Sequence, residues 1–417
     1  MARNALITLG LLVTLIVGMV PTSSHCQDST EKHADTLKRG FKEIPGEFIV
    51  TFANADTDVQ VSYILSALQG QNLVNQDTRL RAVNYLKEFF SCFQNLTPDD
   101  VKYIGEKRMV LHLDSASVKE AKKDPHFKSV TPNYMVLKPY GFDFKPPMPA
   151  PPNAQPSQVV DWGVRSVVQS VRKNMVFKNT VWVIDSGIDP NHEDLNVDKT
   201  RCRSFLPNVG YDQVANEDSH GTHVAGIIGA KNNNVGTVGV APGIRIVAFK
   251  VILNGVLPDY DAYLLALEAV LEEAAPGDVV NISIQNTPGT QDEIDDILKI
   301  GKKGVFVALA AGNDRVDIND SKVYPALIRG TNIYCVSACD SLAQFSDFSN
   351  YGQLSLAYLA PGSHIYSCLP NNSYGFADGT SMAAPHVAGL LALLHAVSAG
   401  PKILCPFDNK LYVTAHE

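Results

Sequence analysis

The chain has 417 residues, of which 45% are hydrophobic and 19% charged, and its formal net charge is −8. That length allows two or three domains, and the composition excludes general disorder, a collagen-like repeat and a polytopic membrane protein. Seven cysteines are too few for a disulfide scaffold, and no stretch gathers the Lys and Arg that a nucleic-acid partner needs. Residues 27–140 balance 15 basic against 15 acidic side chains, so the acidic excess lies beyond them. An acidic body suits an extracellular protein or one that holds a hard cation, and does not suit a phosphate backbone.

The chain opens with Arg3, an apolar run from Ala5 to Val20, and small residues at Ser24 and Cys26. This is the pattern of a secretory signal peptide over 1–26, and the run is shorter than the roughly 20 residues a membrane span needs. Residues 27–140 follow as a separate α+β unit. Glu47–Phe52 and Met109–Asp114 alternate or run apolar like strands, Val59–Leu68 and Ser115–Lys123 have helical spacing, and apolar residues return at Val130 and Tyr134–Leu137. Seven prolines between Pro139 and Pro156 then exclude a helix or central strand, so 141–156 reads as an exposed linker.

Residues 157–417 form the third part. Through residue 396 strand and helix signals alternate. Val181–Asp185, Ile244–Ile252, Asp278–Ile284, Val305–Ala310 and Asn332–Ala338 are short apolar strands. Between them, Ser219–Ala230, Tyr260–Ala275 and Gln291–Ile300 read as helices, with Ser219 as a cap. Apolar strands separated by helices imply βαβ units and a mostly parallel sheet flanked by helices.

Four short stretches carry chemistry: V-I-D-S-G-I-D at 183–189, S-H-G-T-H-V-A-G at 219–226, A-A-G-N at 310–313 and G-T-S-M-A-A-P-H-V-A-G at 379–389. Taken singly they are ordinary. Asp185 and Asn313 suit turns, His220 and His223 suit a core or a metal pair, and Ser381 suits a helix cap. Taken together they supply a hydroxyl nucleophile, a base to take its proton, and a carboxylate to orient that base. Groups at the C-terminal ends of parallel strands meet above the sheet, and Asn313 with the Ser381 N–H offers donors to a developing oxyanion.

The order Asp, His, Ser with these motifs resembles the subtilisin-like serine proteases. The resemblance covers about residues 157–396. It implies Ser381 as nucleophile, His220 as general base and acid, Asp185 as the orienting carboxylate and Asn313 as oxyanion donor, with His223 and His386 packing rather than reacting. Substrate is expected to add as a strand along Ser283, Ile284 and Gln285. The pocket wall is expected at Ala310, Ala311 and Gly312, whose small size favours uncharged medium or large side chains. Gln285-Asn286 stands where the family usually has two glycines.

The resemblance also implies a structural calcium ion. Its ligands would be Gln158, Asp194, Asn233 and the carbonyls of Lys231, Val235 and Thr237, all oxygen donors. Residues 27–140 resemble the family's inhibitory propeptide, a small ferredoxin-like α+β domain. The expectation is a secreted, monomeric zymogen that cuts itself between Val136 and Ser157. It would act on protein or peptide substrates, with its own propeptide as inhibitor and no nucleic-acid or membrane partner. The residues from about 400 match nothing in the family pattern, which puts stability in question. Five cysteines in the catalytic part leave at least one unpaired or intermolecular. Asn95, Asn319 and Asn371 lie in glycosylation sequons, and Asn281 lies in one inside a strand. Two rival readings stay open. An α/β-hydrolase needs G-x-S-x-G, where the chain has G-T-S-M-A. The other is a secreted binding protein that keeps the fold without activity.

Overall fold

The computed structural model describes residues 41–53, 76–104, 108–136, 158–173, 175–214, 218–285, 289–352 and 357–417. The leader, the helix expected at Val59–Leu68 and the Pro-rich linker lie outside these residues.

The N-terminal unit runs β1 (Phe41–Phe52), α1 (Gln76–Phe89), β2 (Val101–Ile104), β3 (Arg108–His112), α2 (Ser115–Ala121) and β4 (Phe127–Val136). Its antiparallel sheet has the order β2-β3-β1-β4. Side chains alternate between the faces of a strand, so the sheet has two apolar faces with different partners. Val50, Phe52, Met109, Leu111 and Val130 pack with Ala82, Val83, Leu86 and Phe90 into the unit's own core. Ile49 and Val110, from the other face, join the main core of the second body. Asp114 caps α2 by accepting from Ser117 N at 2.7 Å.

The second body begins with α3 (Trp162–Val167), β5 (Thr180–Asp185), β6 (Arg203–Ser204), α4 (His220–Gly229) and β7 (Arg245–Lys250). It continues through α5 (Tyr260–Glu273), β8 (Val279–Ile282), α6 (Gln291–Lys302), β9 (Phe306–Ala310), α7 (Ile318–Ser321) and β10 (Ile333–Cys339). It ends with β11 (Tyr358–Pro361), β12 (Ile365–Leu369), β13 (Ser373–Ala377), α8 (Thr380–Leu394), β14 (Ser398–Cys405) and β15 (Lys410–His416). Nine strands form one sheet in the order β14-β15-β11-β10-β9-β8-β5-β7-β6. All its neighbours are parallel except β14 and β15. The expected parallel sheet with flanking helices is therefore present. Its central strands are apolar along their whole length because helices cover both faces.

The C-terminal residues, unreadable in the sequence, form a hairpin. Its second strand pairs with β11 and extends the sheet. Ile403, Cys405 and Tyr412 share a small apolar cluster with Cys339, Phe345 and Leu359. The Glu417 carboxylate meets the guanidinium of Arg172 and accepts from Gln169 N at 2.9 Å, while its own N–H donates to Val167 O at 2.8 Å.

Candidate active site

Asp185 is the last residue of β5, and His220 is the first of α4. Both are buried. His220 Nδ1 lies 2.7 Å and 2.9 Å from the two oxygens of Asp185. A carboxylate only accepts here, so the ring's Nδ1–H donates and Nε2 is left as the basic nitrogen. Asp185 is held in turn by Ser186 N at 2.6 Å. Ser219 sits at the cap position of α4 but makes no capping bond from its side chain.

Ser381 is the second residue of α8, which contains Pro385. A proline has no N–H for the carbonyl four residues before it, and here that carbonyl belongs to Ser381. Ser283 Oγ supplies the missing donor, reaching Ser381 O at 3.1 Å. Ser381 Oγ in turn lies 3.4 Å from Ser283 O. The proline thus leaves the turn that carries Ser381 open to a bond from the residue that follows β8.

Asn313 follows β9. Its side-chain oxygen accepts from Thr380 N at 2.8 Å and Thr380 Oγ1 at 2.9 Å. These bonds fix the amide so that Nδ2 is the outward group. Gly379 has φ +149°, and a Cβ placed on it would lie 3.3 Å from Asn313 Nδ2 and 3.6 Å from Ser381 N. Two donors therefore flank one point beside Gly379, at distances somewhat longer than the roughly 2.7–3.1 Å of a bound oxyanion. Thr380 and Asn350 do this positioning. Asn350 accepts from Asp314 N and Val316 N and donates to Ala311 O at 2.9 Å. The sequence reading missed both; Thr380 lies inside a recognised motif, whereas Asn350 carries no local signal.

His223 and His386 do other work. The His223 ring donates from Nε2 to carbonyls of Ile365 at 3.1 Å and Gly375 at 3.2 Å, and burial pushes its pKa down to about 3. His386 Nδ1 donates to Met382 O at 2.9 Å, with its pKa pushed down to about 4 by burial. Both are neutral core residues at ordinary pH.

The expected calcium ligands come together. Gln158 Nε2 lies within hydrogen-bond reach of Lys231 O at 2.8 Å, Val235 O at 3.1 Å, Thr237 O at 3.1 Å and Asn233 Oδ1 at 3.2 Å. An amide nitrogen has two hydrogens, so four converging oxygens exceed what it serves. Asp194 is tied into the same loop, accepting from Asn233 Nδ2 at 2.7 Å and Thr237 N at 3.1 Å. An oxygen-lined cradle with one carboxylate fits a hard cation.

A family model for the subtilase family (peptidase S8) matches residues 178–403. The chain belongs to the subtilase family. Subtilisin NAT of Bacillus subtilis subsp. natto is 35% identical to this subtilase over 286 residues, 68% of each chain. Subtilisin-like protease 2 of Plasmodium falciparum (isolate 3D7) is 37% identical over 231 residues, which is 52% of this chain but 17% of the relative. A solved structure, a cold adapted subtilisin-like serine proteinase, is 30% identical, with TM-score 0.48 over 56% of this chain and 83% of its own.

This subtilase keeps six cysteines free among the described residues: Cys92, Cys202, Cys335, Cys339, Cys368 and Cys405. Cys335 is buried, and burial pushes its thiol well up, so it is no nucleophile. Of the sequon residues, Asn95 and Asn371 are exposed, while Asn281 is fully buried and donates to Ser283 Oγ at 2.9 Å.

Proposed function

We propose that the chain is a secreted serine endopeptidase made as a zymogen that processes itself. The observation that carries the catalytic part is the pairing of His220 with Asp185, together with two candidate oxyanion donors, Asn313 Nδ2 and Ser381 N, at the start of α8. In this reading Ser381 Oγ attacks the peptide carbonyl and its proton passes to His220 Nε2. Asp185 steadies the imidazolium, and the oxyanion is held by the two donors. His220 then returns the proton to the leaving amine, and water releases the acyl group by the same path in reverse.

Calcium would be held by Gln158, Asp194 and Asn233 through side-chain oxygens and by Lys231, Val235 and Thr237 through carbonyls. It supplies no chemistry to the reaction and stabilises the loop between α4 and β7. The N-terminal unit is read as the propeptide because its second sheet face packs on α5 and α6, the helices beside β8. On this reading the chain is cut between Val136 and Ser157, in the Pro-rich stretch that follows β4. Secretion rests on the leader sequence alone.

Fluorophosphonate labelling tests the catalytic reading, since only an activated serine reacts. The wild-type chain is expected to take the label and Ser381→Ala to take none. Ser381→Ala is also expected to accumulate as uncut precursor. Equal processing of wild type and Ser381→Ala in a protease-deficient host would show that another enzyme does the cutting. The inactive binding-protein alternative predicts no label in either.

A further inference from the structure

We propose that Gln285 and Asp314 latch the groove beside Ser381, restricting it to substrates with glycine, alanine or serine before the scissile bond. This rests on the peptidase reading above and deepens it.

β8 and β9 are paired as far as Ile282 and Leu309. Beyond that pair the two extensions, 283–285 and 310–313, flank the nucleophile. Ser283 bonds to Ser381, and Asn313 bonds to Thr380. A carbonyl placed between Asn313 Nδ2 and Ser381 N brings its own side chain into the space between these extensions. The walls on one side, Ala310, Ala311 and Gly312, leave that space open. Gln285 closes it. Its amide nitrogen donates to Asp314 Oδ2, and its Oε1 accepts from Asn313 N at 3.3 Å. The amide lies directly on the Gly312 backbone, for a Cβ on Gly312 would be 2.3 Å from Gln285 Oε1 and 2.8 Å from its Cδ. The same position is 2.4 Å from Asn350 Nδ2. Gly312, at φ +97°, is thus the residue that lets both amides close in.

On this proposal a large side chain enters by breaking both bonds of Gln285, one of them to a carboxylate. Bonds of this kind are expected to discriminate against it by roughly 10- to 100-fold. A basic side chain would have to displace the Gln285 amide to reach the Asp314 carboxylate. This reverses the expectation of medium or large residues that Ala310, Ala311 and Gly312 gave by themselves.

The test uses the full chain and three peptides that differ only in Ala, Phe or Arg before the cut bond. Wild type is expected to favour Ala over Phe by about 10- to 100-fold in kcat/KM. Gln285→Gly is expected to raise the Phe-to-Ala ratio at least about tenfold. Asp314→Ala, which removes only the tether, is expected to raise it by less and serves if the first variant misfolds. A wild type that prefers Phe or Arg overturns the latch, and so does a ratio unmoved in both variants. Fluorophosphonate labelling is read alongside. A chain that takes no label and cuts no peptide overturns the peptidase reading as a whole, whereas a labelled chain that cuts Phe best overturns the latch alone.

Discussion

The ammonium of Lys250 lies 2.9 Å from a carboxylate oxygen of Asp218, and both side chains are shut off from water. Lys250 is in register with Asp185 on the neighbouring strand, and Asp218 stands two residues before His220. The pair therefore sits beside Asp185 and His220. Lys250 also donates to Ser186 O at 2.5 Å, and Ser186 Oγ donates to Asp218 O at 2.8 Å. Removing one partner of a buried pair leaves a charge without compensation and costs about 3–5 kcal/mol, whereas removing both costs far less. Lys250→Met is expected to destabilise by that amount, and adding Asp218→Asn is expected to recover most of it. Urea unfolding of the chain carrying Ser381→Ala, to prevent autolysis, measures both. A double variant as unstable as the sum of its singles would show that the two charges do not act on each other.

Much of this was legible in the sequence, and the gaps have physical causes. β5, β7 and β9 announced themselves as apolar runs because both faces are covered. The motifs singled out Asp185, His220 and Ser381 as candidates, and their neighbours in space follow from the fold alone. Lys250 read as one residue inside a strand, because nothing local tells that its head reaches Asp218, 32 residues away. α1 was missed although Ala82, Val83, Leu86 and Phe90 stand at helical spacing, since charged residues interrupt them. β14 and β15 lie at the sheet edge, where exposed polar positions blur the alternation. Gln285 was visible as a departure, but its bond to Asp314 was not.

Asp261 gives the docked N-terminal unit a pH dependence of its own. Burial, helped by Asp259, pushes its pKa up to about 7, against the bond from Asn133. Asn133 Nδ2 reaches Asp261 Oδ1 at 3.4 Å and Glu47 Oε2 at 3.2 Å, and exposed His112 pairs with Glu47 across the sheet. A carboxyl raised in the folded state holds its proton more tightly there. Protonation therefore favours docking, and stability falls as pH rises from about 4 to 7 at up to about 1.4 kcal/mol per unit. His223 and His386 act in the opposite sense. Their lowered values give stability that is present above about 6.5 and lost as pH falls. A difference measurement separates the two effects. Between pH 4 and 7 the stability of Asp261→Asn minus its parent is expected to climb, and above pH 7 to level off. A flat difference would mean that Asp261 is not buried against the sheet.

Calcium is expected to raise the melting temperature of the chain, because the cradle formed by Asp194, Asn233 and Gln158 exists only when folded. At a hundredfold excess over its dissociation constant, a ligand of the native state adds about 2.7 kcal/mol. Excess chelator is expected to remove this gain, and Asp194→Asn to abolish most of the response. Melting that ignores both calcium and chelator would remove the ion from the account.

Arg108 is expected to hold the N-terminal unit in place far more strongly than Lys128, although both reach the same helix. The sheet brings donors and the helices bring carboxylates. Arg108 Nη2 lies 2.5 Å from Asp296 Oδ2, and its Nε is 3.6 Å from Glu268 Oε2. Lys128 Nζ lies 2.9 Å from Asp292 Oδ1 and 2.6 Å from Asp295 Oδ2. Thr51 and Ser129 donate to Asp292 Oδ2 at 2.8 Å and 2.6 Å. Burial pushes Asp292 up, but the bonds from Ser129, Lys128 and Thr51 outweigh it and leave the carboxyl below its ordinary value. What separates the two cations is water. The Arg108 side chain is 3% exposed and that of Lys128 is 34% exposed. Exposed pairs contribute about 0–1 kcal/mol and are screened by salt, while breaking a buried pair costs about 3–5 kcal/mol. In the Ser381→Ala chain, Arg108→Met is therefore expected to lower the amide-exchange protection of β1 and β3 at least about a hundredfold. Lys128→Met is expected to lower it by less than about tenfold, and by less still in 1 M salt. Equal losses in the two variants would mean that burial does not set the strength of this interface.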